Sequence, residues 1–532
     1  MNTFELQVSV RSKSGYEEKI VQRKMIVIHF KLLAMAAYLY MVIPITIFMV
    51  TWLRWYVGLP MAFLILFALY RLIQKEYTDD CAVTLSLRTL IIGLLALAVF
   101  LWLTGQGGFF FQYSDNFARN ALFSDLINFD WPLIYEETGN ALSYYLLHWL
   151  VPAIVGKIIP NFTIARFALY CWTLLGVILT ILLLTVVLNA GTTKRFLLLV
   201  FVFCAWSGLD IIGGVISSVF GLINFELNTF RWWTAFGIDG QGYGGLMFRS
   251  NCDQLASVYN QTIVPWLTVP LLVSKPRIST FIFLAACVFA CSPFAFVAIG
   301  VIMGYYFLRA LIQNRKKEKV LAVIAEVFSI PNVVALLTIV PVFFLFYTCN
   351  MAIKTRSNGF FIAPEKFNIY SLMIIVLFYI LQFGIYVLLI RREFRSDGLF
   401  HLMAICMCII PLIQVGGFGD FGWNTSVPFF FLLMMYCLKY LYLHVHIETV
   451  KERLQMRISK PIIGIIICLT LSFLSPFTQI AFGFKIAYQE KTFDLMCRGV
   501  DTFSDKTINE SFYVNYLVPE YEDTPFFHYI AK

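Results

Sequence analysis

Charged residues are scarce in this chain: Asp, Glu, Lys and Arg make up 13% of its 532 residues. Apolar residues make up 60%, Phe alone occurs 53 times, and the mean hydropathy is +0.78. A soluble fold of this length has too little interior to bury that much apolar surface. The composition therefore excludes a soluble globular protein and predicts a polytopic membrane protein.

The usual cysteine signatures are also missing, because the 12 cysteines form no CxxC pair and have no histidine at metal-ligand spacing. Most of them lie inside apolar runs, which predicts small buried residues. Only Cys252 and Cys497 fall in segments predicted outside the membrane, where pairing is open to them. No cleavable signal precedes the first apolar run, and no repeat is visible. The net charge is +9, and the basic residues lie mostly between the apolar runs. This distribution is explained by orientation in a membrane and not by nucleic-acid binding.

The long apolar runs predict an all-α, polytopic bundle of about thirteen transmembrane helices. The predicted spans are 31–53, 58–74, 88–104, 164–189, 196–222, 255–274, 278–291, 294–312, 331–350, 369–390, 400–416, 425–445 and 461–483. The run 278–312 is too long for one span and is interrupted by CSPFAF. We therefore expect a tight helical hairpin there, with Ser292 and Pro293 at its tip.

The distribution of Lys and Arg predicts a cytoplasmic N-terminus. Basic residues collect in short segments on that side, such as RKKEK at 315–319, whereas most carboxylates fall on the opposite side. This orientation requires that residues 142–160 do not cross the membrane. We expect them to form an amphipathic helix on the outer surface, with Tyr144, Tyr145 and Trp149 at headgroup level. A true span at 142–160 is the alternative.

This orientation divides the chain into five parts. They are a cytoplasmic segment (1–30), three spans (31–104), an extracytoplasmic catalytic-type loop (105–163), the remaining transmembrane bundle (164–483) and an extracytoplasmic tail (484–532). The tail is too short and too poor in apolar residues to be an independent catalytic domain.

Residues 113–132, YSDNFARNALFSDLINFDWP, gather three aspartates and one arginine directly after a predicted span. Apolar residues at near-helical spacing predict a short helix, which brings Asp115, Asn116 and Arg119 within one turn. A carboxylate beside an arginine at an apolar mouth is suited to general-base catalysis, with the arginine holding a substrate phosphate. The alternative is a solvated interfacial helix with a surface ion pair. Paired carboxylates also suit a divalent cation, Mg²⁺ or Mn²⁺, whereas no histidine cluster supports zinc.

Asp210, in AWSGLDIIGG, is the carboxylate predicted to lie deep inside a span. Such a residue is costly in a membrane and usually faces a cavity, so we expect Asp210 to line the substrate cavity. A purely structural hydrogen-bonding role is the alternative. The nearby Gly208, Gly213 and Gly214 permit a broken helix or close helix packing.

The second outer segment offers further candidates. Arg231, beside two tryptophans, is suited to a lipid phosphate, and anchoring in the aromatic belt is an equal alternative. Asn260 and Gln261, near the start of a span, are candidates for binding sugar hydroxyls. The stretch GIDGQGYGG follows no predicted strand and lacks the P-loop lysine, so it predicts a flexible loop.

Together these elements resemble the opening of the GT-C superfamily of membrane glycosyltransferases. The likeness begins with DNFARNALFSDLI…DWP after an early span and continues with YYLLHWLVPAIVGK and another span. The elements SGLDIIG, RWW, VYNQTIVPWL, SPF and GDFGWNTSVP look like a subgroup of bacterial, GT-C-like polytopic membrane proteins. The resemblance covers residues 105–440, and the two spans before residue 88 look like an addition to the usual plan.

The resemblance implies a bacterial plasma-membrane enzyme with an extracytoplasmic active site. It implies inverting transfer of a sugar from a polyprenyl-phosphate donor to a cell-envelope glycan, lipid or polymer. Carried over onto this chain, the catalytic base of the loop is Asp115, and Asp125 is its second acidic position. Neither a WWD-type acceptor motif nor the soluble C-terminal domain of many such enzymes has a counterpart here, so an oligosaccharyltransferase is not expected.

Two other hypotheses remain. A transporter or flippase for lipid-linked saccharides places ionisable groups along the midplane and often has repeated halves, whereas the charges here gather on one outer face. A polymerase or ligase of O-antigen type depends on a large late loop with arginines, and the loop at 351–368 is modest.

Overall fold

A computed structural model shows a mostly helical chain with a few short strands. The residues it describes are 24–76, 81–113, 115–219, 237–238, 241–242, 246–314, 316–350, 359–360, 367–415, 419–445, 447–450, 453–456, 460–498, 501–505 and 515–532.

The described part of the chain has helices along most of its length. They are α1 (Phe30–Trp52), α2 (Trp55–Glu76), α3 (Leu87–Leu103), α4 (Asn116–Asn128), α5 (Leu147–Ile158), α6 (Phe162–Val187), α7 (Thr193–Ala205), α8 (Asp210–Val219), α9 (Asn251–Ser257), α10 (Tyr259–Ser274), α11 (Ile278–Cys291), α12 (Pro293–Gln313), α13 (Lys317–Val327), α14 (Ile330–Leu337), α15 (Ile339–Thr348), α16 (Ile369–Tyr379), α17 (Ile385–Ile390), α18 (Gly398–Ile409), α19 (Asp420–Thr425), α20 (Val427–His444) and α21 (Lys460–Glu490). A π-helical segment, Ile380–Gly384, joins α16 to α17.

Short strands pair at the ends of these helices. They are β1 (Met25–His29), β2 (Ala82–Ser86), β3 (Ile134–Tyr135), β4 (Asn140–Leu142), β5 (Gly237–Ile238), β6 (Gln241–Gly242), β7 (Gly359–Phe360), β8 (Ile413–Gln414), β9 (Ile447–Val450), β10 (Arg453–Met456) and β11 (Leu517–Pro519). Four pairs are two-stranded: β1–β2, β5–β6, β7–β8 and β9–β10. The fifth sheet has the order β11–β4–β3 and is antiparallel throughout.

Within the described residues, nine helical segments are long and apolar enough to cross a membrane. They are Phe30–Trp52, Trp55–Lys75, Phe162–Val187, Thr193–Ile216, Pro293–Gln313, Ile330–Thr348, Ile369–Ile390, Asp420–His444 and Lys460–Glu490. An apolar face of α2, including Phe63, Phe67 and Tyr70, is exposed, as expected of a helix that contacts lipid. The apolar helices support a membrane protein, and its orientation stays a prediction.

The thirteen predicted spans are not confirmed. Those at 88–104, 278–291 and 400–416 correspond to apolar helices of 10–17 residues, which are short for a hydrocarbon core of about 30 Å at 1.5 Å per residue. The span predicted at 255–274 divides at Val258 into α9 and the entirely buried α10.

The structure confirms the predicted hairpin tip and shows which of the two arrangements left open at Asp210 is present. Helix α11 ends at Cys291 and α12 begins at Pro293, so Ser292 and Pro293 form the tip of a hairpin. The span that carries Asp210 is broken, because α7 ends at Ala205 and α8 begins only at Asp210. The disulfide left open for Cys252 and Cys497 is not formed, since both thiols are free.

Residues 142–160 differ from the prediction in where their aromatic side chains lie. Their helix, α5, has 12 residues and packs between α4 and α6. Tyr144 and Trp149 are buried within the protein instead of lying at headgroup level, and Tyr145 is half-buried. Protein, not lipid headgroups, therefore covers these side chains of α5. An apolar helical face has the same sequence pattern in both cases, so the pattern could not distinguish them.

Candidate functional site

Helix α4 forms one wall of the site. It buries Ala118, Leu122 and Leu126 at helical spacing, and this apolar face packs against α5. The approach from α3 is a tight turn in which Gly105, Gly107 and Gly108 adopt positive φ angles, which glycine adopts readily.

Arg166 of α6 holds this turn in place. Its Nε donates a hydrogen bond of 2.6 Å to the Gly107 carbonyl, and its Nη2 lies 2.5 Å from Asp494 Oδ1. The turn, α6 and the segment after α21 are thus fastened together beside α4. The start of α4 is thereby fixed relative to the membrane bundle.

Arg119 is the unusual side chain of α4, because it is only 5% exposed. Its Nε and Nη1 are buried and have no hydrogen-bond partner among the described residues. Burial lowers the pKa of Arg119, but Tyr144, Tyr516 and Asp115 raise it, and the pKa stays above its ordinary value. The guanidinium is therefore charged, buried and incompletely hydrogen-bonded, an arrangement that an anionic ligand stabilises.

Several polar and aromatic groups from distant parts of the chain surround Arg119. We call this set the Arg119 cluster: Arg119 with Asp115, Tyr144, Tyr259 and Tyr516, which act on its charge, together with Asn116 from the same turn of α4 and Asn260, which follows Tyr259 in α10. Asp115 is the residue just before α4, one helical turn ahead of Arg119, and its carboxylate is partly exposed. A negative and a positive side chain therefore lie within the first turn of α4, as the sequence predicts.

The amide side chains present free acceptor oxygens. Asn116 Nδ2 donates a hydrogen bond of 3.0 Å to the Ala256 carbonyl, and Asn260 Nδ2 donates one of 3.2 Å to the Tyr145 carbonyl. The Oδ1 atoms of both residues, and Oε1 of the buried Gln261, have no partner within the described part of the chain. Because the amide nitrogens of the two asparagines already donate to carbonyls, the remaining oxygens are available to hydroxyl donors.

Asp125 has a different environment from Asp115. It is almost completely buried, and its Oδ2 accepts hydrogen bonds from the Tyr135 hydroxyl at 2.8 Å and the Phe503 backbone N–H at 2.9 Å. Burial raises the pKa of Asp125, and these two hydrogen bonds oppose that rise. The carboxylate joins α4 to the strand β3 and to residues 501–505, which is the arrangement of a structural anchor.

Asp210 is 4% exposed and is the first residue of α8, directly after the break that separates α8 from α7. Ser207 Oγ donates a hydrogen bond of 2.9 Å to its Oδ2, and Gln382 Nε2 donates to its Oδ1. Gln382 belongs to the π-helical segment, and the Leu209 N–H also donates to the Leu381 carbonyl of that segment. Two irregular stretches of backbone therefore meet at Asp210, inside candidate membrane spans.

Two further expectations concern Arg231 and a divalent cation. Arg231 lies outside the described residues. Among the described residues, no group of three or more His, Cys, Asp or Glu side chains is arranged to hold a metal ion.

Sequence reasoning did not identify the tyrosines of the Arg119 cluster as site residues, and it missed a buried ion pair at the start of α9. Arg249 Nη1 lies 3.0 Å from Asp253 Oδ2, and both side chains are buried. The guanidinium also lies over the ring of Trp423, 4.9 Å from its centroid, and Ser257 donates to Asp253 Oδ1 at 3.0 Å. The signal available was the i, i+4 spacing of Arg249 and Asp253 just before an apolar run.

His148 lies beside the cluster without being a candidate for acid–base chemistry near neutral pH. Its Nε2 is 2.9 Å from Thr173 Oγ1, and its ring packs against Tyr259. Burial lowers the pKa of His148 to about 3. It is therefore neutral at physiological pH, and Asp115 is the better-placed proton acceptor.

No family model, curated protein or solved structure matches the chain.

Proposed function

We propose that the protein is a membrane glycosyltransferase that takes a sugar from a polyprenyl-phosphate donor and transfers it to a cell-envelope glycan, lipid or polymer. The observation that carries the proposal is the buried guanidinium of Arg119, two of whose nitrogens have no described partner, one turn from the partly exposed Asp115. A phosphate at Arg119 supplies the missing acceptors, since guanidinium groups bind phosphate oxygens through charge-assisted hydrogen bonds.

In this proposal Asp115 is the general base. Its carboxylate takes the proton of an acceptor hydroxyl while the hydroxyl oxygen attacks the anomeric carbon of the sugar. The bond from that carbon to the phosphate oxygen breaks, and its electron pair leaves with the lipid phosphate. Arg119 stabilises the negative charge that develops on the phosphate, and attack from the opposite side inverts the anomeric centre.

In this proposal the amide oxygens of the site bind the sugar. Asn116 and Asn260 have buried acceptors free of described partners, and Gln261 follows directly in α10. Buried acceptors without donors are costly, and sugar hydroxyls are donors that can satisfy them. Arg231 remains a candidate for a second contact with the lipid phosphate. The internal hydrogen bonds of Asp210 favour a structural role for it over contact with substrate.

The test is transfer by the purified full-length protein in proteoliposomes that contain a polyprenyl-phosphate sugar, with radiolabelled sugar followed into acceptor. We expect Arg119→Gln to abolish transfer and Arg119→Lys to restore part of it, because lysine returns the charge without the planar fork. Arg88→Gln, at an exposed position of α3, is the matched control and should keep full activity. Normal transfer by a folded Arg119→Gln variant would remove the proposed phosphate site.

A transporter or flippase for lipid-linked saccharides is the second candidate, and one observation favours it. The break between α7 and α8 faces the π-helical segment at Asp210, and irregular backbone at membrane depth commonly lines a transport pathway. Movement of a fluorescent lipid-linked saccharide between leaflets, without sugar transfer, would support this candidate over the enzyme.

A further inference from the structure

One face of α21 carries polar groups inside a candidate membrane span. Ser472, Ser475, Gln479 and Gly483 follow one another at intervals of three or four residues and therefore lie on one side of the helix. The Ser475 hydroxyl and both polar atoms of the Gln479 side chain are buried and have no hydrogen-bond partner among the described residues. Pro476 has no N–H, so the Ser472 carbonyl also lacks its usual helical donor. Unsatisfied polar groups at this depth are costly.

Contacts at its two ends show what lies opposite this face. At one end, the Ser472 hydroxyl donates a hydrogen bond of 3.4 Å to the Ala205 carbonyl at the end of α7. At the other end, Gly483 lies directly against Phe110 and Phe111, in the segment between α3 and α4. The face therefore extends from the end of α7 to the segment before α4.

Helix α9 runs between the same two places. Its first residue, Asn251, donates its backbone N–H to the Trp206 carbonyl at 3.0 Å, directly after α7. Near its other end, the Leu255 carbonyl accepts a hydrogen bond from Gln106 Nε2, in the turn after α3. Helix α9 also packs against α21. The polar face of α21 therefore lies along α9.

Helix α9 contributes buried acceptors of its own. Gln254 Nε2 donates to the Arg249 carbonyl at 2.9 Å, and Asn251 Nδ2 donates to the Phe203 carbonyl at 2.9 Å. Gln254 Oε1 and Asn251 Oδ1 have no partner within the described part of the chain. Gln479 has two amide hydrogens to donate, so an acceptor of α9 within its reach would be bonded. More than a hydrogen-bond length therefore separates the polar groups of the two helices.

We propose that the polar groups of α9 and α21 bind the neutral, hydroxylated headgroup of a lipid acceptor. We call this set the α9–α21 subsite: Asn251, Gln254, Ser475 and Gln479. A hydroxyl group both donates and accepts, so a sugar headgroup satisfies the acceptors of α9 and the amide of Gln479 together. All four side chains are uncharged, and Arg249 and Asp253 of the same region are paired with each other. The subsite is therefore suited to a neutral headgroup and not to a phosphate.

The α9–α21 subsite adjoins the Arg119 cluster. Asn116 Nδ2 donates to the Ala256 carbonyl at 3.0 Å, two residues after Gln254, so α9 connects the two sites. Phe111, at the end of the α21 face near α4, is only half-buried, so this end of the subsite lies near the protein surface. The inference rests on the proposed function, to which it adds a place for the acceptor.

The test compares a glycolipid with the same lipid lacking its sugar. Glucosyl-diacylglycerol and diacylglycerol are titrated against the purified full-length protein in detergent, and bound lipid is measured by native mass spectrometry. We expect the wild type to bind the glycolipid at least about tenfold more tightly, since it forms two or more additional hydrogen bonds. Gln479→Leu should lose this preference, because leucine has no polar atoms to bond the sugar.

Stability distinguishes a ligand-binding amide from a structural one. Without lipid, Gln479→Leu should melt at the wild-type temperature or above it, because Gln479 has no described partner to lose. Gln382→Leu is the contrasting variant and should melt lower, since Gln382 donates to Asp210. Gln313→Leu, at the exposed end of α12, is the matched control and should keep both the lipid preference and the melting temperature.

Ser475→Ala is the second variant, since it removes one hydroxyl with little change in packing. It should weaken the preference for the glycolipid without lowering the melting temperature, and it decides the question if Gln479→Leu is unstable. Equal binding of the two lipids by the wild type would overturn the subsite. A full preference in a folded Gln479→Leu protein, or in Ser475→Ala if that protein is unstable, would do the same.

The remaining outcomes separate this inference from the proposed function. If Arg119→Gln abolishes sugar transfer and the wild type has no preference for the glycolipid, the subsite is overturned while the proposed function stands. If Arg119→Gln transfers sugar normally and the glycolipid preference still depends on Gln479, the phosphate site is overturned while the α9–α21 subsite stands.

Discussion

The ring of Tyr516 stacks on the ring of Tyr144 with centroids 4.2 Å apart and an interplanar angle of 29°. This contact joins the last described stretch of the chain to the loop before α5. Tyr144 and Tyr516 both raise the pKa of Arg119, so the contact lies at the edge of the candidate site. The tail is therefore part of the structure around the site and not an appendage beside it.

Asp115 should be required for transfer but not for folding. We expect Asp115→Asn to lower the transfer rate by roughly 10²–10⁴-fold, the usual contribution of a general base. Its thermal unfolding should be unchanged, because the side chain is partly exposed and makes no capping hydrogen bond to α4. The measurements are transfer in proteoliposomes and melting temperature in detergent.

Asp130→Asn is the control for that experiment, since Asp130 is an exposed aspartate just after α4. It should transfer sugar at the wild-type rate. Wild-type transfer by Asp115→Asn would withdraw the base assignment.

Asp125 should affect stability more than chemistry. Asp125→Ala leaves the Tyr135 hydroxyl and the Phe503 N–H without their acceptor, which should cost about 1–3 kcal/mol of unfolding free energy. Asp125→Asn keeps an acceptor and should transfer sugar normally. Loss of transfer in a stable Asp125→Asn protein would instead support the second catalytic carboxylate that the family resemblance implies.

The pH dependence of stability offers a separate check on Asp125. Burial raises its pKa in the folded protein above the ordinary 3.8, so folding favours the protonated form. The stabilisation is present in acid and is lost as the pH rises through the folded-state pKa. We therefore expect the melting temperature of the wild type to rise relative to that of Asp125→Asn as the pH falls from neutral toward ~4. A difference that is independent of pH would contradict the raised pKa.

Arg54 should hold the last residues of the chain, 526–532, in place. Arg54→Ala removes the donors to the Ala531 and His528 carbonyls, and we expect faster amide hydrogen exchange across residues 526–532. Arg71→Ala, at an exposed position of α2, is the control and should leave exchange unchanged. Unaltered exchange in Arg54→Ala would show that apolar packing of Phe526, which is fully buried, suffices to hold these residues.

Gly208 should be intolerant of a side chain. A Cβ at this position would collide with the side-chain amide of Gln382, which also donates to Asp210. Gly208→Ala should therefore destabilise the protein by about 1–3 kcal/mol in detergent unfolding. Gly300→Ala is the control, because a Cβ there meets nothing within 4 Å and alanine favours a helix. Equal stability of the two variants would contradict the close approach at Asp210.

The sequence by itself determined the membrane class, the helical character and several helix ends. Apolar runs require lipid or protein burial whatever the topology, and Pro293 begins a helix because its ring suits the first turn. It also determined that Asp115, Asn116 and Arg119 share one turn, since Arg119 follows Asp115 by four positions and Asn116 by three. These are local properties, which depend on neighbours along the chain.

Only the tertiary structure decided which polar groups face one another. The stacking of Tyr144 on Tyr516, and the anchoring of Asp125 by Phe503, join residues far apart in sequence. It also decided that the apolar face of α5 packs on protein, and that the second of two similar aspartates is enclosed. An apolar pattern does not show whether lipid or protein covers it, and contacts between distant segments are determined by packing. The sequence could therefore predict neither the partner of the α5 face nor these contacts.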